Sequence, residues 1–459
     1  MNRSQFVVVC MCLLILSCKK SIEVDPPINP IVSEVVFSND SSAISSLTGI
    51  YTDMMLSANG PTQFSASGAT IFTGLYSDEL RHFSMAFLPE FQRSALSESS
   101  DKSLTEFLWD RAYRYIYTAN LCIEELNKTT KLTPWVQTKL LGEAKFIRAF
   151  CYFHLVNNFG GVPLSLSSDY RISMKLGRAP ESEIYDQIIK DLRESQLLLS
   201  PDYDNSGNLR PIKWAATALL ARVLLYKKDW AGAEAEATTV INSRLYQLAG
   251  VTEVFKKNSV ETIWQLQPAN VNVNTWEGSL FIPSSSTAVP AYLITDSLRL
   301  AFENGDARRF NWIGARKYGS YADSFYFPAK YKVRALIPAA ENYIVLRLAE
   351  QFLIRSEARI QQNKLSDAQD DLNTIRNRAG LDPTTASTVE ELSKAIEHER
   401  RIELFAEWGH RWYDLKRTDR ANAVMLLLKP NSWKATGLLW PIPYSQIRAN
   451  PGLQQNPGY

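Results

Sequence analysis

Histidine and cysteine are both scarce in this sequence. The 459 residues include four histidines and five cysteines. The histidines, His82, His154, His398 and His410, are not spaced to form a zinc-binding pair on one helix. The chain also lacks a glycine-rich phosphate loop, a Gly-x-Ser-x-Gly nucleophile elbow and a Cys-x-x-Cys pair. With no recognisable metal-binding or catalytic motif, we expect no cofactor, no metal ion and no enzymatic activity.

The chain carries little net charge. Its 50 lysine and arginine residues nearly balance 48 aspartate and glutamate residues, which leaves a formal charge of +2. Nucleic-acid binding requires clustered positive charge, so we expect no nucleic-acid partner. After Cys18, the remaining cysteines are Cys122 and Cys151, and both lie on apolar helical stretches. This placement favours two buried thiols over a disulfide scaffold.

The apolar run at the N-terminus is too short to span a bilayer, which needs about 20 residues. Residues 6–16 follow Arg3 in the layout of a secretory signal peptide. The run ends in Leu-Ile-Leu-Ser-Cys, which resembles a bacterial lipobox and predicts lipid attachment at Cys18. We therefore assign residues 1–17 to a lipoprotein signal peptide and residues 18–34 to a lipidated N-terminus and tether. An ordinary signal peptide or a short membrane anchor is the alternative.

Helical periodicity dominates residues 35–459. The predicted helical segments are 103–128, 135–159, 181–199, 213–242, 343–379 and 390–417. The stretches LYKKDWAGA (225–233) and IQQNKLSDA (360–368) each indicate two helices joined by a tight turn. They resemble tetratricopeptide pairs, with generic antiparallel helices as the alternative. We predict a mainly α fold in which tetratricopeptide-like helical pairs form a superhelical scaffold with a large loop-rich face and a few short strands.

Three regions lack helical periodicity. Residues 60–100 are predicted to be rich in loops, and ETIWQLQ (261–267) alternates as a short strand does. Residues 270–332 predict loops, with a hairpin that pairs 309–313 with 325–330. Residues 437–459 contain too many prolines for a helix.

Several charged and polar residues have structural interpretations. Glu399, Glu403 and Glu407 recur every four residues, which predicts an exposed charge ladder on one helical face. A glycosidase would instead need two carboxylates across a cleft. Arg347 and Glu350 predict an ion pair on one helix. His154 lies on an apolar stripe and predicts a hydrogen-bonded core histidine.

Two long motifs carry a resemblance to a known family. They are EAKFIRAFCYFHLVNNFGGVPL (143–164) and the C-terminal LLWPIPYSQIRANPGLQQNPGY (438–459). Shorter patches such as NGDARRF (304–310) and ERRIELFAEWGHRWYDLKR (399–417) extend the match over essentially the whole mature chain. Together with the Cys18 signal, these segments resemble the SusD/RagB family of outer-membrane nutrient-binding lipoproteins.

This resemblance implies a helical body with four tetratricopeptide-like pairs, here one unit with an N-terminal part (35–270) and a C-terminal part (271–459). It also implies a protein anchored by lipid in the outer membrane, facing the cell exterior. Such proteins cap a SusC-like TonB-dependent transporter and deliver glycans to it, or peptides in the RagB branch. A peptide receptor, a surface hydrolase and a purely structural helical-repeat lipoprotein remain the alternatives.

Aromatic residues in the loop-rich regions are the candidate ligand contacts. Sugars present C–H faces that stack on aromatic rings, and loops on a rigid scaffold commonly carry binding residues. In the family, the loops that correspond to residues 80–91 and 270–326 of this chain converge on the binding face. The candidates are Phe83, Phe87, Trp276, Tyr292, Trp312, Tyr318 and Tyr321. We expect Phe310 and Phe327, which flank the predicted hairpin, to pack in the core. Ordinary packing or surface aromatics are the alternative for every candidate.

Overall fold

The structure is a computed structural model. It describes residues 35–56, 64–204, 207–269, 273–319, 324–335 and 339–459. The predicted signal peptide and tether, Cys18 and Tyr321 lie outside the described residues. Within the described ranges, no helix combines the length and the apolar character that crossing a membrane requires.

Helices make up most of the described chain. In the N-terminal half they are α1 (Asp40–Met55), α2 (Ala69–Tyr76), α3 (Pro89–Gln92), α4 (Asp101–Leu104), α5 (Asp110–Lys128), α6 (Pro134–Phe159), α7 (Tyr170–Ser173), α8 (Glu181–Leu198), α9 (Lys213–Tyr226) and α10 (Trp230–Asn242). In the C-terminal half they are α11 (Trp276–Phe281), α12 (Asp296–Arg299), α13 (Ala307–Trp312), α14 (Leu348–Gln361), α15 (Leu365–Arg378), α16 (Val389–Glu403), α17 (His410–Arg417), α18 (Ala421–Leu428) and α19 (Tyr444–Ala449).

The long helices pack as antiparallel neighbours. α5 packs on α6, α6 on α8, α8 on α9, and α9 on α10, while α10 contacts α14, which packs on α15. The α9–α10 turn falls where LYKKDWAGA predicts it, with Lys228 at a φ of 61° and the Asp229 side chain accepting from the Gly232 N–H at 3.0 Å. The prediction of a mainly α, tetratricopeptide-like scaffold is confirmed.

In the part of the chain that the structure describes, six short strands accompany the helices. They are β1 (Leu80–His82), β2 (Thr262–Leu266), β3 (Tyr292–Ile294), β4 (Ile313–Arg316), β5 (Phe325–Pro328) and β6 (Tyr343–Arg347). They form three antiparallel pairs, β1 with β3, β2 with β6, and β4 with β5. The predicted strand in ETIWQLQ is therefore confirmed. A hairpin is present near the predicted position, but its first strand is β4 and not 309–313, because residues 309–312 belong to the helix α13.

Several predicted boundaries were wrong. Residues 343–347 form the fully buried strand β6 rather than the start of a helix. The segment 60–100, expected to be loops, contains the apolar helix α2, and the proline-rich tail contains α19. The predicted helix 390–417 divides into α16 and α17 because Ala406, Trp408 and Gly409 adopt positive φ angles between the two helices.

The central helix α6 organises the main core. Pro134 stands in its first turn, where the missing N–H costs no hydrogen bond. It ends at Gly160, whose φ of 71° favours glycine. Cys122 and Cys151 are buried free thiols, as predicted. His154 is buried too, with Nδ1 3.1 Å from the Tyr413 hydroxyl, which confirms a hydrogen-bonded core histidine.

The three glutamates of the predicted ladder are buried, contrary to expectation. Glu399 and Glu403 are at most 1% exposed and Glu407 is 7% exposed. They belong to a group that we call the central ion cluster. Its members are Glu261, Asp306, Arg308, Lys330, Arg347, Arg378, Glu399, Glu403 and Glu407.

Arg347 lies at the centre of this cluster. Its Nη1 donates to Glu403 Oε1 at 2.5 Å and to Glu261 Oε1 at 2.9 Å. Its Nε donates to Glu407 Oε2 at 2.8 Å. Burial acts to raise the pKa of Glu403, but the surrounding arginines outweigh it and hold that pKa well below the usual value. The predicted ion pair between Arg347 and Glu350 was therefore wrong.

Glu350 instead pairs with Arg222 of α9, which donates to both carboxylate oxygens at 2.6 and 2.7 Å. The pair joins an N-terminal helix to the C-terminal helix α14. Paired carboxylates of this kind are retained in a core because removing one partner leaves an uncompensated buried charge.

Arg308 tests how much the central ion cluster contributes to stability. It donates to Glu399, Glu403 and Asp306. We expect Arg308→Met to lower the free energy of unfolding by about 3–5 kcal/mol, because it leaves buried carboxylates unpaired. Urea denaturation measures the loss. The adjacent, half-buried Arg309 provides the control, since Arg309→Met should cost no more than about 0.5 kcal/mol. Equal losses in both variants would contradict a special role for the cluster.

Candidate functional site

The pairing of β1 with β3 brings together two regions that are far apart in sequence. Leu80 pairs with Ile294, and His82 pairs with Tyr292. The ladder extends one residue further, where the Phe83 N–H donates to the Ala291 carbonyl at 2.7 Å. The segment after β1 therefore lies beside β3, and β3 in turn contacts β5 of the hairpin.

The buried Gln92 side chain bonds across the loop after β1. Gln92 accepts from the His82 N–H at 3.0 Å and donates to the carbonyls of Phe87 at 2.6 Å and Ser84 at 3.2 Å. Leu88 adopts a φ of 45° at the start of α3. One buried amide thus closes the loop and fixes the positions of its aromatic residues.

Aromatic rings from the loop and the hairpin meet on one surface. The Phe83 ring lies 5.6 Å from that of Phe325, edge to face. His82 stacks on Phe87 at 4.2 Å, and Phe87 packs edge to face on Tyr292 at 5.9 Å. We call this surface the aromatic face. Its members are His82, Phe83, Phe87, Tyr292 and Phe325.

A polar contact lies beside these rings. The Ser84 N–H donates to His82 Nδ1 at 3.1 Å. Burial lowers the pKa of His82, and the contact of its Nδ1 with the Ser84 carbonyl opposes this shift. The lowered pKa favours the neutral, flat imidazole.

A buried arginine clamp holds the residues that lead into β1. Arg411 donates to both carboxylate oxygens of Asp78 at 2.8 and 3.0 Å, and Arg401 donates to one of them at 2.7 Å. The next residue, Glu79, is buried, and burial raises its pKa to about 8. Two helices of the C-terminal half, α16 and α17, thus position a strand of the N-terminal half.

The structure separates the predicted ligand residues into exposed and buried ones. Phe83 is 41% exposed and Phe87 is 36% exposed. Tyr318, just after β4, is also exposed, whereas Tyr292 is buried beneath Phe87. Trp276 is half-buried, with its indole N–H donating to the Met55 carbonyl at 3.0 Å. Phe83, Phe87 and Tyr318 are therefore the accessible candidates, and contacts among the rings join Phe83 and Phe87 to the aromatic face.

Two aromatic predictions need correction. Trp312 was a candidate contact, but it is 1% exposed and donates to the Val251 carbonyl at 2.9 Å, so it packs in the core. Phe310 was expected in the core, but it is 75% exposed because it lies on the outer side of the short helix α13. Phe327 is buried, as predicted.

Two members of the aromatic face were not predicted. Phe325 comes from β5, and His82 comes from β1. The sequence did indicate a hairpin that includes residues 325 and 326. The contact between β3 and β5, which brings that hairpin to the loop after β1, could not be predicted from the sequence.

The fold and the site together define a tetratricopeptide-like helical scaffold that presents one irregular, aromatic surface. A family model described as starch-binding and associating with the outer membrane matches residues 53–225, and the SusD family model matches residues 330–459. The chain belongs to the SusD/RagB family.

Individual relatives agree with this assignment. A SusD-like protein of Formosa agariphila is 27% identical over 437 residues, which cover 81% of this chain and 83% of that protein. A SusD superfamily structure from Bacteroides vulgatus superimposes with a TM-score of 0.80 at 22% identity, covering 92% of this chain and 99% of that one. A structure named laminarin binding SusD-like protein has a TM-score of 0.75 at 25% identity, covering 92% of this chain and all of the other.

Glu277 of α11 follows Trp276 and is buried, so the pH dependence of stability tests its environment. Burial raises its pKa to about 8, and the nearby hydroxyls of Tyr343 and Thr70 act in the opposite direction. A carboxyl whose pKa is raised on folding makes the fold less stable as pH rises from its unfolded value, near 4.5, to its folded value. Glu277→Gln should remove this loss.

We therefore expect Glu277→Gln to be more stable than the wild type at pH 8, by about 1–3 kcal/mol, with a smaller difference at pH 5. Thermal or urea unfolding across this pH range measures the effect. The exposed Glu183 supplies the control, as Glu183→Gln should change stability little at either pH. A difference that does not grow with pH would refute a buried, protonated Glu277.

Proposed function

We propose that this protein binds glycans at its aromatic face. The observation that carries the proposal is the convergence of Phe83 and Phe87 with Phe325, from two separate parts of the chain, on one accessible surface. Exposed rings suit the C–H faces of sugars, and adjacent polar groups suit their hydroxyls.

The position of each ring supports this proposal. Gln92 holds the loop that carries Phe83 and Phe87, so these rings need little ordering when a ligand arrives. His82, whose lowered pKa favours the neutral imidazole, adds a polar ring beside Phe87. A surface built mainly of uncharged aromatic rings matches a sugar better than it matches a strongly charged peptide.

The comparisons favour glycan over peptide. The family description for residues 53–225 names starch binding, and one structural relative is named for laminarin binding. Within the proposal, the protein holds its ligand without transforming it. A peptide ligand is the alternative outcome of the test below.

We also propose that Cys18 carries a lipid anchor and that the protein delivers its ligand to a SusC-like TonB-dependent transporter. The lipobox-like sequence before Cys18 supports the anchor. Membership of the family supports the outer-membrane location and the transporter partner. The anchor would keep the body at the outer surface, beside the transporter that removes the captured glycan.

The double variant Phe83→Ala/Phe87→Ala tests the binding site. By analogy with base–aromatic stacking, each lost ring should cost about 1–3 kcal/mol, so we expect glycan affinity to fall at least tenfold. Affinity electrophoresis in gels that contain laminarin or soluble starch measures the change. Phe310→Ala removes an exposed phenylalanine outside the aromatic face and should leave affinity unchanged.

Thermal unfolding must accompany these measurements. The double variant should unfold within a few degrees of the wild type, because both rings are partly exposed. Unchanged glycan affinity in a folded double variant would contradict the proposed site. Binding of peptides but of no glycan would replace the proposed ligand class.

Membrane fractionation tests the anchor and the partner together. Tagged wild-type protein should sediment with the outer membrane and, after detergent extraction, copurify with a TonB-dependent transporter. Cys18→Ala should move the protein to the soluble fraction, because it lacks the acyl chains that hold it at the membrane. Membrane retention of Cys18→Ala would exclude the lipid anchor, and recovery of the wild-type protein without a transporter would exclude the partner.

A further inference from the structure

A second concave surface lies at the start of α6, and its residues are separate from those of the aromatic face. It is a groove of about 560 Å³ between the first turn of α6, the end of α8 and the loop that leads to α9. We call it the Trp135 groove. The lining residues used below are Trp135, Lys139, Asp202, Tyr203, Asp204 and Arg210.

Trp135 is unusually exposed for its residue type. It is 64% exposed, whereas tryptophan is normally well buried. Its backbone is fixed, because it follows Pro134 in the first turn of a 26-residue helix. The preceding Thr133 N–H donates to Asp40 Oδ1 at 2.9 Å, which ties this helix start to α1. A large ring on a rigid support thus stands at the edge of a concavity.

The opposite side of the groove is also rigid. The Tyr203 hydroxyl donates to the Ile263 carbonyl at 2.7 Å and lies 2.7 Å from the Tyr246 hydroxyl. The Trp214 indole N–H donates to the Pro201 carbonyl at 2.8 Å. These bonds fasten the loop after α8 to the strand β2 and to α9, so the groove is a fixed feature of the scaffold.

The charges around the groove cancel. Lys139 and Arg210 are matched by Asp202 and Asp204, and Lys139 pairs with Asp204. Arg210 is directed to Glu143, whose Oε2 accepts from Nε at 2.7 Å. A groove without net charge disfavours a strongly acidic or basic ligand. It offers carboxylate acceptors and ammonium or guanidinium donors, which together suit a neutral ligand with many hydroxyls.

We propose that the Trp135 groove is a second sugar-binding subsite, for a short stretch of a neutral oligosaccharide. One sugar ring stacks its C–H face on Trp135, while its hydroxyls bond to the charged groups around the groove. The volume lies within the range of small-molecule sites. Only the class of ligand is taken from the proposed function, since the aromatic face contributes no residue to the groove.

The experiment uses the mature protein with the aromatic face disabled by Phe83→Ala/Phe87→Ala. Binding is measured on an array of neutral and uronate-containing oligosaccharides, and by affinity electrophoresis in laminarin and soluble starch. Residual binding of neutral glycans should fall at least tenfold on adding Trp135→Ala. Trp135→Phe, which keeps an aromatic ring, should restore affinity to within about threefold of the parent.

Leu197→Ala is the matched control, because Leu197 is 86% exposed at the end of α8 and does not line the groove. It should leave binding unchanged. Equal binding with and without Trp135, binding of uronate-containing glycans alone, or no residual binding would each overturn the subsite. Loss of membrane association on Trp135→Ala with unchanged glycan binding would also overturn it, in favour of a membrane contact.

The two proposals fail in different ways. If Trp135→Ala in the otherwise native chain abolishes glycan binding while Phe83→Ala/Phe87→Ala has no effect, the groove stands and the aromatic face falls. If the aromatic-face variant abolishes all binding, the aromatic face stands and the groove falls.

Discussion

The bonding of Arg347 to Glu403 and Glu407 is the interaction on which much of this fold depends. Arg347 ends strand β6, Glu403 ends α16, and Glu407 lies in the turn before α17. Through Glu261, the same guanidinium also reaches the residue that precedes β2. A single buried side chain therefore fixes how the sheet of β2 and β6 meets the C-terminal helices. Its neighbours Arg308 and Arg378 bring α13 and α15 to the same carboxylates.

This arrangement also positions the candidate site. The helix α13, held by Arg308, leads directly into β4 of the hairpin that carries Phe325 and Tyr326. On the other side, α16 and α17 supply the arginines that hold Asp78, two residues before β1. Both halves of the aromatic face are thus attached to one ionic framework in the core. Such a framework favours a defined geometry, because each unpaired alternative would leave a buried charge.

Much of the helical scaffold could be predicted from sequence, because its signals are local. The apolar spacing of α6 and the tight turn before Trp230 are examples. The strand β6 was mistaken for helix, since a short apolar run fits either element. Glu399 and Glu403 were wrongly predicted to be exposed, because their partners, Arg308 and Arg347, lie about 50 to 95 residues away along the sequence. For the candidate site, the sequence indicated Phe83 but not Phe325, because local sequence carries no signal for which strands lie side by side.

Gln92 shows what a fixed loop implies for the kinetics of ligand exchange. Because its amide already joins three backbone groups, the loop has few alternative conformations to search before a partner can be accepted. A preformed surface of this kind loses little conformational entropy on contact, and encounter need not wait for a slow rearrangement. Such a surface can load and unload quickly even when each contact is modest. Rapid turnover of this kind suits a step that holds its cargo briefly and passes it on.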